Sequence, residues 1–294
     1  MTDSPDDSNG VPIGVIGGSG LYQLDGFTNT EELTIETPFG KPSEVLVRGE
    51  LAGRTVIFLA RHGRGHRILP HEVNHRANIY ALRSLGVRFI ICITAVGSLH
   101  PKHAPRDIVL VSQYYDRMGY RAPHTFFGDG IAAHIAFAEP ISTNLREILA
   151  SAAAEVGIDA HNGGTYVNMD GPAFSTRAES QINRELGFDV IGMTNLPEAK
   201  LAREAEIALA TLAMVTDYDS WKTDEEPVTA EMVFSHIQAN AATSQRVLLA
   251  AIPKVPLTAD WPEHQSLSHA LVTPKNLWPS ETVERLRVIL GRFL

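Results

Sequence analysis

The chain has 294 residues, 44% hydrophobic and 20% charged, the balance of a soluble globular protein rather than a disordered one. Lys plus Arg number 25 against 34 Asp plus Glu, and the net charge of −9 argues against a general nucleic-acid binder but not against a small anionic substrate, which feels only the local field. No apolar run approaches the roughly 20 residues that span a bilayer, and the single cysteine, Cys92, excludes an intrachain disulfide framework and fits a reducing cytosol.

Residues 1–10, MTDSPDDSNG, are acidic and lack the positive and apolar regions of a signal peptide, so they read as a disordered tail. Residues 11–294 read as one domain. From Val11 the predicted strands are Ile13–Gly17, Ser43–Arg48, Thr55–Ala60, Phe89–Thr94, Asp107–Ser112, Thr165–Met169, Asp189–Met193 and Leu209–Thr216. Several are continuous Val/Ile/Leu runs, as expected of strands covered on both faces. Predicted helices run over 71–85, over 143–156 with Leu145, Leu149, Ala152 and Val156 on one stripe, and over 176–186. Three more follow Pro197, start near Thr229, and span 281–292. The alternation indicates an α/β fold, a mixed and mainly parallel twisted sheet flanked by helices. The Pro-rich stretch 254–280 is irregular and is expected to wrap a neighbour or a site.

Motifs fall at predicted strand ends, where open α/β sheets bind ligands. Gly17-Gly18-Ser19-Gly20 fails the dinucleotide and Walker patterns, which leaves an anion-cradling turn or a plain tight turn. Arg61-His62-Gly63-Arg64-Gly65-His66-Arg67 concentrates basic groups after a strand, as a phosphate site or as a solvated basic loop. Thr94-Ala95-Val96-Gly97-Ser98 either completes an oxyanion cradle or is an ordinary turn. His71-Glu72-Val73-Asn74-His75 matches the zinc-protease pattern letter for letter. Pro70 puts it in a helix's first turn, and no Glu occurs between Glu72 and Glu139 to serve as a third ligand, so a metal site is not expected. The sharpest signal is Thr216-Asp217-Tyr218-Asp219-Ser220-Trp221, where two carboxylates end a long apolar run. Paired acceptors there suit the donor array of an amino-heterocycle, or a metal, though no His or Cys lies close in sequence to favour the latter.

Together GVIGGSGLY, TPFGKPS, LARHGRGH, PHEVNHRAN, TAVGSL, DGPAFSTRAES, IGMTNLPEAKLAREAE and TDYDSWK resemble, in unbroken order from Val11 to Ile252, the 5′-methylthioadenosine phosphorylases of the trimeric purine nucleoside phosphorylase superfamily. The resemblance implies a phosphate site of Ser19, Arg61, His62, Thr94, Ala95 and Thr194. It implies a ribose contact at Met193, a purine-packing Phe174 with Ser175 beside it, and catalytic purine readers at Asp217 and Asp219. Ala230, Val233 and Phe234 would wall the 5′-substituent, and His134 would be lent by the adjacent subunit of a homotrimer with sites at its interfaces. The implied reaction is cytoplasmic phosphorolysis of a purine nucleoside, with phosphate as co-substrate, no metal and no organic cofactor. Asp217 would donate at N7, its pKa raised by burial beside Asp219. The alternatives are a 6-oxopurine nucleoside or 5′-methylthioinosine phosphorylase, or a non-catalytic nucleoside sensor on the same fold. Ser19 where relatives often carry Thr keeps the hydroxyl; Phe234 is bulkier than the common Leu.

Overall fold

In the computed structural model the described residues are 10–18, 25–119, 124–222 and 229–294, without the side chains of Met232, Phe234 and Gln238. Residues 1–9 of the expected 1–10 tail, and Ser19, lie outside them. The strands are β1 (Ile13–Gly17), β2 (Thr28–Leu33), β3 (Leu46–Leu51), β4 (Arg54–Ala60), β5 (Phe89–Ser98), β6 (Ile108–Leu110), β7 (Gln113–Asp116), β8 (His161–Asn162), β9 (Thr165–Asn168), β10 (Val190–Gly192) and β11 (Ala208–Asp217). The helices are α1 (His75–Ser84), α2 (Thr143–Glu155), α3 (Arg177–Glu185), α4 (Asn195–Glu204), α5 (Ala230–Ala251), α6 (Ser280–Arg285) and α7 (Arg287–Leu290).

All strands join one 11-stranded mixed sheet, ordered β2-β3-β4-β1-β5-β10-β9-β7, with β11 also on β5 and β6 and β8 continuing from it. Parallel pairs occupy the middle: β1 lies between β4 and β5, and β11 runs parallel to β5. The α/β expectation holds, and the reason is visible in β1 and β11, whose every residue is buried and whose sequences are accordingly dominated by apolar residues, with Thr211, Thr216 and Asp217 as the polar exceptions in β11. The edge strands β2 and β7 and the two-residue β8 were not expected. Thr28–Leu33 is almost wholly exposed and carries no apolar alternation to betray it.

β5 is the hinge of the architecture. Its first part pairs with β1 and β11, and its last residues turn to β10, Ser98 opposite Val190 and Gly97 opposite Ile191. The strand therefore runs four residues past its expected end at Thr94, because Val96 and Ser98 are still paired and buried. α2 and α5 pack on each other and on β11, while α1 and α4 pack together, with α4 also against β5 and β11. Among the described residues no helix is long and apolar enough to cross a membrane.

The C-terminal stretch packs on the segment of its own chain that carries His134. The His134 N–H donates to Ala270 O at 2.8 Å, Val272 N–H to Ala132 O at 2.9 Å, and Thr282 Oγ1 to Asp129 O at 2.7 Å. Arg292 then ties the chain's end to the buried Glu206.

Candidate active site

One cavity of about 380 Å³ opens at the strand ends, lined by residues of β5, β10 and β11 and of the loops after β1, β4, β9, β10 and β11. Along β5, Arg61 bonds Ile93 O while Asp217 pairs with Gly97, so Arg61, His62, Thr94 and Ala95 stand towards an anion end and Asp217 and Asp219 towards an acid end; Gly18, Thr194, Phe174 and Met193 line the cavity too. Ala230 and Val233 of α5 line it too. Eleven of the fifteen residues expected from the sequence thus converge on this cavity. Ser175 is buried behind the wall, its carbonyl accepting from Ser220 Oγ at 2.7 Å. His134 is exposed and is not on this cavity. The Phe234 side chain and Ser19 fall outside the described residues. Leu69, Pro70, Met169 and Ile237 line the cavity without having been expected; single apolar residues after a turn carry no signal of their own.

The basic run after β4 does not act as a block. Arg64 is paired with Glu32, and Arg67 Nη2 donates to Glu44 Oε2 at 2.6 Å, so both guanidinia are taken up at the surface. Arg61 turns inward and is 1% exposed. Its Nε and Nη2 donate to the two oxygens of Glu198 at 2.5 and 2.9 Å, and Nη1 donates to Ile93 O at 3.1 Å. Burial works against both charges, and each partner's opposite charge outweighs it, so the Arg61 pKa is raised and that of Glu198 lowered. Glu198, on α4, was not expected; it is 0% exposed and also accepts from Asn195 Nδ2 at 3.0 Å. Removing one member of such a buried pair costs about 3–5 kcal/mol.

His62 meets Ile68 O through Nδ1 at 2.8 Å. A carbonyl only accepts, so Nδ1 carries the hydrogen and Nε2 of the neutral ring is an acceptor. Burial, then the charge of Arg61, pushes its pKa down to about 4. Thr194 caps α4 at its N-terminus and lines the cavity, so the positive end of the helix dipole faces the anion end.

At the acid end, Thr216 Oγ1 donates to Asp217 Oδ2 at 2.7 Å and the Asp219 N–H to Asp217 Oδ1 at 2.8 Å. Burial pushes the Asp219 carboxyl above its ordinary range, against the pull of the Ser180 and Ser175 hydroxyls. The expectation put the raised pKa on Asp217; the structure puts one on Asp219. Gly97 is what lets the acids sit so close to β5: a Cβ there would be 3.0 Å from Asp217 Oδ1 and 3.3 Å from Asp219 Cβ.

The zinc-protease pattern is broken by geometry. Pro70–Glu72 is a 3-10 turn in which Glu72 accepts from Leu69 N–H at 3.0 Å, while His75 begins a separate helix and is buried. The three side chains do not share a helix face, which the pattern requires.

The phosphorylase superfamily profile matches residues 12–253. An S-methyl-5′-thioadenosine phosphorylase of Synechocystis sp. (strain PCC 6803 / GT-S) is 51% identical, over 96% of this chain and 88% of that protein. A methylthioadenosine phosphorylase from an antarctic soil metagenomic library superposes with a TM-score of 0.90 at 47% identity, covering 96% of this chain and 99% of that one. The methylthioadenosine phosphorylase of Schistosoma mansoni in complex with adenine gives 0.80 at 34% identity, over 96% and 98%.

Proposed function

The chain belongs to the phosphorylase superfamily, and from that premise we propose that it is a pentosyltransferase that cleaves 5′-methylthioadenosine with phosphate, giving adenine and 5-methylthioribose 1-phosphate. What carries the reading is a single cavity with an anion end and a two-carboxyl end, joined by apolar walls. The C1′–N9 bond breaks with its electron pair going to the purine, a phosphate oxygen bonds C1′, and a proton reaches N7. Phosphate sits among Gly18, Ser19, Arg61, His62, Thr94, Ala95 and Thr194, where backbone amides, hydroxyls and the α4 terminus supply donors.

Burial raises the Asp219 pKa, which makes that residue the member of the pair suited to carry a proton beside Asp217. A singly protonated pair offers one donor, matched to N7, and acceptors, matched to the N6 amino group. A 6-oxopurine presents acceptors at both places and meets an acceptor with an acceptor, which speaks against the inosine alternatives. Phe174 packs on the purine and Met193 on the ribose. The methylthio group lies against Ala230 and Val233. The enzyme is a cytoplasmic homotrimer serving purine and methionine salvage, with phosphate as its only co-substrate and no metal or organic cofactor. His134, exposed and off its own chain's cavity, is lent to the neighbour.

The test is a panel of methylthioadenosine, adenosine, inosine and guanosine, each with and without phosphate. Methylthioadenosine should be cleaved fastest, adenosine more slowly and the 6-oxopurines near background, all strictly with phosphate. Equal turnover in phosphate-free buffer would identify a hydrolase instead.

A further inference from the structure

Of the five N–H groups of a guanidinium, Arg61 commits three, two to Glu198 and one to Ile93 O, leaving one on each terminal nitrogen for the cavity it lines. The other groups around it add no compensating charge. His62 is held neutral, with its pKa at about 4 and Nδ1 bound to Ile68 O. His75, whose Nδ1 is 4.0 Å from Glu198 Oε1, is pushed down by burial to about 3. The Cys92 thiol, donating to Glu198 Oε2 at 3.4 Å, is pushed up, and so is the buried Tyr166. Arg64 and Arg67 are turned to surface carboxylates. Arg61 and Glu198 are therefore the charged members of this cluster among the described residues, and they cancel.

We infer that Glu198 is a positioning residue that both fixes the face Arg61 presents to phosphate and cancels its charge, so that bound phosphate keeps its own negative charge. This rests on the phosphorolysis reading above. Breaking the glycosidic bond puts positive charge on the ribosyl ring, and a phosphate whose charge has not been neutralised stabilises it more strongly in a dry site than a phosphate paired with a free cation. The fork to Glu198 orients the guanidinium without lending phosphate a net positive partner. The cost is weaker ground-state binding of phosphate, and the return is realised in the transition state.

The test is Glu198→Gln, with Glu198→Asp beside it, read as separate phosphate KM and kcat values at saturating methylthioadenosine. In Glu198→Gln the Arg61 charge is no longer cancelled: phosphate KM should fall about threefold or more while kcat falls about tenfold or more. Glu198→Asp, which keeps the charge, should hold kcat within about fivefold of wild type. A Glu198→Gln enzyme whose phosphate KM rises, or whose kcat holds, overturns the inference, since loss of orientation alone raises KM. If that variant does not fold, the wild-type enzyme still decides. Its phosphate KM should change by less than about twofold between roughly 20 and 300 mM KCl, whereas a site of net positive charge would weaken steeply, and a steep rise overturns the inference. A wild-type enzyme with no phosphate-dependent turnover at all would instead defeat the parent reading.

Discussion

The backbone N–H of Asp219 donates to Asp217 Oδ1 at 2.8 Å, so the second acid of the pair orients the first through its main chain and leaves its own carboxyl for other work. Asp219 achieves this with a φ of +50°, a region that Asn tolerates far better than most residues. Asp219→Asn should therefore preserve the geometry of Asp217 while replacing an acid by a donor amide. We expect turnover of methylthioadenosine to fall by about 10²-fold and the ratio of inosine to methylthioadenosine activity to rise. A panel of nucleosides at fixed phosphate measures both; an unchanged ratio would remove Asp219 from base recognition.

Gly97→Ala places a methyl 3.0 Å from Asp217 Oδ1 and 3.2 Å from Ile191 Cγ2. The carboxylate is the softer neighbour, so the acid end should shift by a few tenths of an ångström while the sheet holds. The expected result is a loss of roughly 10- to 100-fold in kcat/KM for the nucleoside, with phosphate KM and Tm little changed. A drop in Tm with intact catalysis would show that the strand, not the acid, gives way.

Trp221 fastens the turn after β11 that carries Asp219. Its Nε1–H donates to Ser98 O at 2.8 Å, and the Arg184 guanidinium lies 3.8 Å above its ring. Trp221→Phe keeps most of the apolar packing but loses the hydrogen bond, a stability cost of about 1 kcal/mol, together with part of the cation–π contact. Nucleoside KM should rise about fivefold and phosphate KM should stay put, as steady-state kinetics in both substrates will show.

Stability should depend on pH through Glu204, far from the chemistry. It is buried on α4 and accepts from Phe126 N–H and Thr125 Oγ1, each at 2.7 Å, yet burial pushes its pKa from 4.5 up to about 7. The folded chain then holds this proton more tightly than the unfolded one, so the contribution is fully present below 4.5 and is lost as pH rises towards 7, a change on the order of 3 kcal/mol. Glu204→Gln should flatten the fall in Tm between about pH 5 and 8; parallel Tm curves for the two proteins would contradict this.

The parts of the molecule that could be read from the sequence are those whose cause is local. β1 and β11 are buried on both faces and say so in their mostly apolar sequences, and Asp217 at the end of β11, with Asp219 just after it, stands out against that run. The edge strand Thr28–Leu33 has no such cause, because a partner on one side and water on the other impose no pattern. Arg61 could be named as an anion ligand from its place after β4, but the residue that sets its charge lies 137 positions away. Glu198 sits in an ordinary helical stretch, and nothing in Asn195–Glu204 distinguishes it from a solvated helix acid. The basic run misled in the same way: it reads as one patch, yet Glu32 and Glu44, brought in by β2 and the loop before β3, draw two of its arginines aside.

The path of β5 has a practical consequence for redesign. Thr94 and Ala95, at the anion end, and Gly97, against the acids, lie within four residues of one strand paired throughout with β11 and, at Gly97, also with β10. A change there that retunes phosphate affinity will drag base preference with it, and selection cannot easily separate the two. The third wall is different in kind. Ala230, Val233 and Ile237 come from one turn-by-turn face of α5 and contribute to neither end. A library confined to that helix can swap the group carried at the 5′ position while the machinery for bond cleavage is left as it is.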